Sequence, residues 1–227
     1  MFGLYSALSE LEQPEAGHVL DDLEDVDLET PDDQLRNLGI KLTHAVRAGR
    51  VNEATDAVGD QLHLLERATD PLNATSFLHA FTSALTMRGH YQRSLDVAER
   101  LYVLADEQRL DFVRPFALID RGVARLGLRD FARAKIDIGS AARAVPREGD
   151  VHIEGNLAAI RCRLLIALGK SVEAAAATDI TFGRGKPTAP LLAEILVYRA
   201  LALMCASEYS SALAMLKEAE SVSATSL

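Results

Sequence analysis

GLRDFARA, residues 127–134, brings a glycine, an aspartate, an aromatic residue and two alanines into eight positions. Variants of this stretch recur along the chain: GRVNEA from Gly49, GHYQRS from Gly89, GKSVEA from Gly169 and SEYSSA from Ser207. Gly49 and Gly89 are 40 residues apart, Gly169 follows 80 residues later, and the other two copies fall within two positions of the same spacing. A period of this length is the sequence signature of a structural repeat.

The residues on either side of this stretch predict two helices joined by a short turn. Before the turn, apolar and small side chains recur at helical spacing at Phe116, Ile119, Gly122, Val123 and Leu126. After the turn, the same spacing continues at Phe131, Ala134, Ile138, Ala141 and Val145. Such spacing places side chains on one helical face, while Asp130 can cap the second helix and Pro146 can end it. The segment therefore predicts an αα-hairpin.

This hairpin matches the tetratricopeptide (TPR) pattern at Leu118, Gly122, Phe131, Ala134, Ala141 and Pro146. One hairpin cannot bury its own apolar face, so stacked neighbours must supply the core. We therefore predict an all-α fold, a solenoid of about five TPR-like αα-hairpins over residues 34–222 with a period of about 40 residues. An acidic N-terminal segment at 1–33 and a tail at 223–227 flank the repeats. A non-repetitive helical bundle with coincidental spacing is the alternative.

Charge is distributed unevenly along the chain. Residues 1–33 carry eleven acidic side chains and no Lys or Arg, whereas the remaining residues carry 22 acidic and 24 basic side chains. The repeat region therefore lacks the basic excess that would track a phosphate backbone, and we expect no nucleic-acid binding by this chain alone. No apolar stretch is long enough for a membrane-spanning helix, so we expect no membrane partner.

The sequence carries no motif for catalysis, a cofactor or a metal. HExxH, GxSxG and nucleotide-binding fingerprints do not occur, and GRGKPT at 183–188 lacks the spacing of a phosphate-binding loop. The six histidines show no ligand spacing, and Cys162 and Cys205 lie inside helical patterns without a CxxC motif. We therefore predict a cytoplasmic protein that is not an enzyme and has no cofactor, with Cys162 packed at a helix crossing.

One side of each first helix lines the concave surface of a TPR solenoid, and the repeat places eleven candidate binding residues there. They are His79, Ser83, Met87, Ile119, Val123, Leu126, Arg163, Ile166, Val197, Leu201 and Met204. Most are apolar, with Arg163 as the single Arg or Lys of the set. Two interpretations stay open: a ligand groove, or side chains buried between tightly wound hairpins.

The stretch RLDFVRPFALIDRGVARLGLRDFARAKIDIGSAAR (109–143) resembles the helical-repeat region of large, maltose-regulator-type (MalT-like) LuxR-family bacterial transcription regulators. GNLAAIRCRLLIALGKSVEAAAA (155–177) and PLLAEILVYRALALMCASEYSSALAMLKEAE (190–220) are similar to the segments that follow there. The resemblance implies a sensor module of such a regulator, without ATPase or DNA-binding activity of its own, that binds a small-molecule inducer, a protein or a peptide. A free-standing TPR adaptor or peptide receptor is the alternative.

The last predicted helix keeps apolar residues on its outer face, at Leu213 and Leu216, where a solenoid normally ends on a polar surface. We therefore expect an array that has been cut short, with self-association through Leu213 and Leu216 into a homo-oligomer. The apolar side of the acidic segment docking there is the alternative. At the other end, LYSALSEL (4–11) resembles EYSSALAM (208–215) and could end a preceding hairpin; the acidic segment is otherwise a linker or an entry helix.

Overall fold

The computed structural model describes residues 28–47, 49–145, 150–180 and 187–224, together with Glu15, His18 and Val19. Every regular element in these residues is helical, which confirms the predicted all-α class. The predictions for residues 4–11, for most of the acidic segment and for GRGKPT fall largely or wholly outside the described residues. No helix among the described residues has both the length and the apolar content needed to cross a membrane.

The ten described α-helices follow one another with short connections. They are α1 (Pro31–Arg47), α2 (Val51–Val58), α3 (Pro71–Met87), α4 (Tyr91–Glu107), α5 (Arg114–Gly127), α6 (Phe131–Ala144), α7 (Val151–Ala167), α8 (Ser171–Ala177), α9 (Ala189–Cys205) and α10 (Tyr209–Ala224). A 3₁₀ helix, Gly59–Glu66, follows α2 directly. The second helix of the fourth pair, α8, is short, as its sequence indicates.

The turns between paired helices share one backbone feature. Each has a residue in the left-handed region, where glycine is favoured. These residues are Gly49 (φ 69°), Gly89 (φ 75°), Arg129 (φ 61°), Gly169 (φ 74°) and Ser207 (φ 65°). The spacing seen in the sequence therefore marks the same turn conformation five times. Asp130 caps α6 by accepting a hydrogen bond from the Arg133 backbone N–H at 3.2 Å, as predicted.

The chain divides into two compact units, one through Leu128 and the other from Arg129 onward. In the first unit, α1 packs against α3 and α3 packs against α5, while α4 contacts both α3 and α5. Gly39 of α1 faces the backbone of Phe77 in α3. A Cβ added at Gly39 would lie 3.4 Å from the Phe77 Cα, so the absence of a side chain lets these two helices approach closely. Phe77 stacks on Phe81 with ring centroids 5.9 Å apart in the centre of this core.

The second unit repeats this arrangement with α6 to α10. Helix α7 contacts α6, α8 and α9, and α9 contacts α8 and α10. Leu191 of α9 packs against Gly155 of α7, where an added Cβ would lie only 2.8 Å from the leucine. Cys162 is fully buried in this core, and its thiol lies 3.3 Å from the Tyr198 carbonyl oxygen that accepts its hydrogen bond. The prediction that Cys162 packs at a helix crossing is confirmed.

Candidate protein-interaction surface

The eleven predicted groove residues differ widely in exposure. Two of them, Ile119 and Leu126, are buried and so cannot line an open surface. His79, Ser83, Val123, Arg163 and Ile166 are half-buried. The remaining four are exposed: Met87, Val197, Leu201 and Met204. Three of these four lie on α9, so exposure is concentrated on one helix and is not spread along a groove.

The half-buried first-helix positions contact the next first helix. Gly39 and His79 both lie ten residues before a left-handed turn residue. Gly39 faces Phe77 of the following first helix, and His79 Nδ1 lies 2.6 Å from Asp120 Oδ2 of α5. The His79 ring also meets the Phe116 ring edge-on, with centroids 5.6 Å apart. This position therefore belongs to the contact between consecutive helix pairs.

The position six residues before the turn residue also contacts the following first helix. Arg163 of α7 places its guanidinium over the Tyr198 ring of α9, 5.4 Å from the centroid. Val197 and Leu201 are the equivalent residues of α9, ten and six positions before Ser207. Their side chains are 46% and 43% exposed. In the pair of α9 and α10, these two positions are therefore exposed to solvent, whereas in earlier pairs they contact the following first helix.

The second helix of each pair contributes to the same contact. The Tyr91 ring of α4 packs on Gly127 of α5, where an added Cβ would lie 2.2 Å from the tyrosine Cδ1. Tyr209 of α10 occupies the position of Tyr91, two residues after the turn, and is 66% exposed. Tyr91 and His79 therefore both contact the same helix, α5. In the pair of α9 and α10, Tyr209 is equivalent to Tyr91 and Val197 is equivalent to His79.

Of the two predicted edge residues, Leu213 and Leu216, the second follows the same rule fully. Leu216 lies nine residues after the turn, where its four equivalents are all buried: Val58, Ala98, Ile138 and Thr178. Leu216 itself is 40% exposed. Among the equivalents of Leu213, Ala175 packs against the cluster of Ala200, Leu203 and Ala212, whereas Lys135 is exposed. We define the end surface as Val197 and Leu201 of α9 with Tyr209, Leu213 and Leu216 of α10.

Two titratable groups near these contacts, His79 and Cys162, have raised pKa values. The negative charge of Asp120 raises the pKa of His79, and the hydrogen bond between them acts in the same direction. Burial raises the pKa of the Cys162 thiol to about 11, which keeps it protonated and poorly nucleophilic at neutral pH. Within the described ranges, no cluster of His, Cys, Asp or Glu has a geometry that could hold a metal ion.

A cleft that the sequence does not reveal lies in the first unit. It opens between α4 and the connection from the 3₁₀ helix to α3, with a volume of about 350 Å³. Arg100, Val103 and Glu107 of α4 line one wall, and Leu65 and Thr69 lie on the other side. The second helix of the first pair gives way to 3₁₀ structure at Gly59, and this irregular connection forms part of the wall. The signal in the sequence is that glycine, because it weakens a helix interior.

Comparison with known proteins gives information on the fold alone. No protein-family model matches the chain, and no curated protein matches it. Among solved structures, the chain is similar to the crystal structure of BtubC (BKLC) from P. vanneervenii, with a TM-score of 0.56. Sequence identity is 14%, over 99% of this chain and 90% of that chain. At this identity the likeness concerns the fold and carries nothing about function.

Proposed function

We propose that the chain is a non-catalytic, TPR-like helical-repeat module that binds a helical segment of a protein partner on the end surface. A single observation carries the proposal: residues of α9 and α10 are exposed at positions where earlier pairs bury or contact the following first helix. Apolar side chains grouped in this way mark protein-binding sites on soluble proteins.

The contacts inside the chain indicate what a partner must present. Helix α5 fits against α3 and α4 with a glycine beneath the Tyr91 ring and an acidic side chain beside His79. A partner helix on the end surface would need a small residue beneath Tyr209. It would need an apolar residue beside Val197, because valine offers no hydrogen bond. The ligand class is therefore an amphipathic helix with a small residue in its apolar face.

The regulator context is a further part of this proposal and derives from the resemblance to MalT-like LuxR-family regulators. A sensor module in a larger cytoplasmic regulator would use such a surface to transmit inducer binding to neighbouring segments. A free-standing adaptor would use it for a separate partner. The similarity to BtubC concerns the fold and does not bear on this choice. The DNA flanking the coding segment tests it: a Walker A motif upstream and a helix-turn-helix downstream in the same frame are expected for the regulator.

Site-specific photo-crosslinking in the cells that make the protein tests the binding function. A photoreactive amino acid replaces Leu216 in one variant and Leu201 in another, so that the end surface is probed from both helices. The matched control carries it at Val172 of α8, which is 69% exposed and lies outside the end surface. We expect the same protein adduct from positions 216 and 201 and none from position 172.

The identity of the adduct separates the possible partners. An adduct with another protein, or with a second copy of the chain, supports the binding function. Equal crosslinking at positions 172, 201 and 216, or none at 201 and 216, would contradict it. Circular dichroism of each purified variant shows whether the helical fold is retained.

A further inference from the structure

We infer that the partner helix carries two charged residues in a fixed order: a basic residue that meets Glu220 of α10 and, four positions later, an acidic residue that meets Lys217. The inference rests on the proposed binding function and adds the charge pattern of the partner. Its basis is the set of contacts between α4 and α5, transferred position by position to α10.

Two arginines of α5 contact the outer part of α4. The guanidinium of Arg121 lies over the Tyr102 ring, 4.6 Å from the centroid. Arg125 Nη2 lies 3.4 Å from Glu99 Oε1, and the arginine side chain is only 14% exposed. Because the earlier arginine meets the later residue of α4, the two helices run antiparallel. Charged side chains therefore help to position a first helix on the preceding second helix.

The equivalent positions of α10 carry one charge of each sign. Glu220 has the place of Tyr102, thirteen residues after the turn residue, and Lys217 has the place of Glu99, ten residues after it. Both follow Leu216 on α10 and are exposed, so they border the end surface. Helix α10 therefore presents a positive charge where α4 presents a negative one, and a carboxylate where α4 presents an aromatic ring.

The charges expected in the partner follow from this comparison. A partner residue at the position of Arg121 would lie beside Glu220, where a basic side chain forms an ion pair. A partner residue at the position of Arg125 would lie beside Lys217, where an arginine meets a like charge and an acidic side chain is attracted. Along the partner helix the expected order is apolar, basic, acidic and small, at the positions that 120, 121, 125 and 127 have in α5.

The basic position recurs among the first helices of this chain. Four of the five carry Lys or Arg eight residues before the turn residue: Lys41, Arg121, Arg161 and Arg199. Arg199 Nη1 of α9 lies 3.1 Å from Oδ1 of Asp179, which follows α8 and lies ten residues after Gly169. In both units, therefore, this cation contacts the preceding second helix or the residues just after it.

The two charges determine direction and register more than affinity. Exposed ion pairs add little stability, whereas like charges in contact disfavour a wrong arrangement. A partner helix bound in the reverse direction would bring its acidic residue towards Glu220 and its basic residue towards Lys217. The pair therefore selects the antiparallel direction that α5 has on α4.

Binding of two synthetic peptides to the 227-residue chain tests the inference. Both contain the sequence 114–127 with Asp120→Leu, which supplies the apolar residue beside Val197, and a hydrocarbon staple on the far face keeps them helical. The matched peptide keeps Arg121 and carries Arg125→Glu. The exchanged peptide carries Arg121→Glu and keeps Arg125, so the two peptides have the same composition and net charge. Fluorescence anisotropy of the labelled peptides measures each Kd.

We expect the matched peptide to bind about tenfold more tightly than the exchanged peptide, because two attractive contacts replace two repulsive ones. The difference should shrink as salt is added. The double variant Lys217→Glu and Glu220→Lys should reverse the preference. The control is Lys170→Glu with Glu173→Lys at the start of α8, an exposed pair of the same spacing whose Nζ and Oε1 lie 3.9 Å apart. It should leave the preference unchanged.

The outcomes separate this inference from the binding function. Equal affinities of the two peptides, or a preference that the exchange of Lys217 and Glu220 leaves unchanged, would overturn the inference while leaving the binding function intact. If neither peptide binds although positions 201 and 216 crosslink to a protein, the register transferred from α5 is wrong. Absence of both peptide binding and crosslinking would contradict the proposed function and this inference with it.

Discussion

Replacing Gly127 by alanine probes the contact between consecutive helix pairs directly. The added Cβ would lie 2.2 Å from Tyr91 Cδ1 and 2.4 Å from Cγ. Favourable carbon–carbon contacts lie at about 3.5 Å or more, so the tyrosine ring must move by about 1.3 Å. Overpacking of this kind costs about 1–3 kcal/mol. Alanine recovers at most about 1 kcal/mol through helix propensity. With the full recovery, we therefore expect a net loss of up to about 2 kcal/mol in the free energy of unfolding.

Urea denaturation followed by circular dichroism at 222 nm measures this loss. Gly139→Ala is the matched control, because its nearest neighbour is the flexible end of Arg143 at 3.5 Å. It should stabilise the chain by up to about 1 kcal/mol. In a Tyr91→Ala background, Gly127→Ala should cease to destabilise, since the obstructing ring is gone. If Gly127→Ala instead stabilises the unchanged chain as Gly139→Ala does, the packing of Tyr91 on α5 is wrong.

Three further changes test separate parts of the structure. Arg129→Gly should stabilise the chain by about 0.5–1 kcal/mol in thermal unfolding, because Arg129 is held at φ 61°; no gain would contradict the left-handed turn. Ala134→Leu should cost about 1–3 kcal/mol in urea denaturation, because Ala134 is fully buried; a neutral effect would place Ala134 at the surface. The pKa of His79 is raised by folding, so its protonated form stabilises the fold. This stabilisation is complete at a pH below the ordinary pKa of 6.5, and it is lost as the pH rises through the raised pKa. The urea midpoint of the unchanged protein should therefore fall over this pH range by more than the midpoint of His79→Gln. Identical dependence of the midpoint on pH in both proteins would contradict this role of His79.

The repeating turn is the feature of the fold that the sequence predicts best. The spacing of Gly49, Gly89 and Gly169 identifies positions that require a left-handed backbone, and this requirement is local. Arg129 and Ser207 adopt the same conformation without glycine, and only the repeat spacing identifies them. The 3₁₀ helix at Gly59–Glu66 was not predicted, since its sequence continues the apolar spacing of a helix.

The surface that we propose for binding could be predicted from the sequence only in part. For the first-helix face the sequence left two interpretations open, a ligand groove or burial between hairpins, and Ile119 and Leu126 are buried. The repeat spacing identifies which face of a first helix a residue occupies, whereas its exposure depends on how closely other parts of the chain approach that face. Leu213 and Leu216 were singled out from the sequence because they are apolar residues on the outer face of a predicted helix, and both side chains are exposed in the structure. Tyr209 could have been added from its equivalence to Tyr91.

Side-chain footprinting by hydroxyl radicals tests most directly whether the last helix pair exposes positions that are buried elsewhere. Leu216 and Ile138 have equivalent places in their helices but differ in exposure, at 40% and 3%. At concentrations where light scattering gives a monomer, we expect Leu216 to be oxidised several-fold faster than Ile138, in rough proportion to accessible area. Equal protection of the two residues would mean that the end surface is already covered within the chain, and would contradict the account.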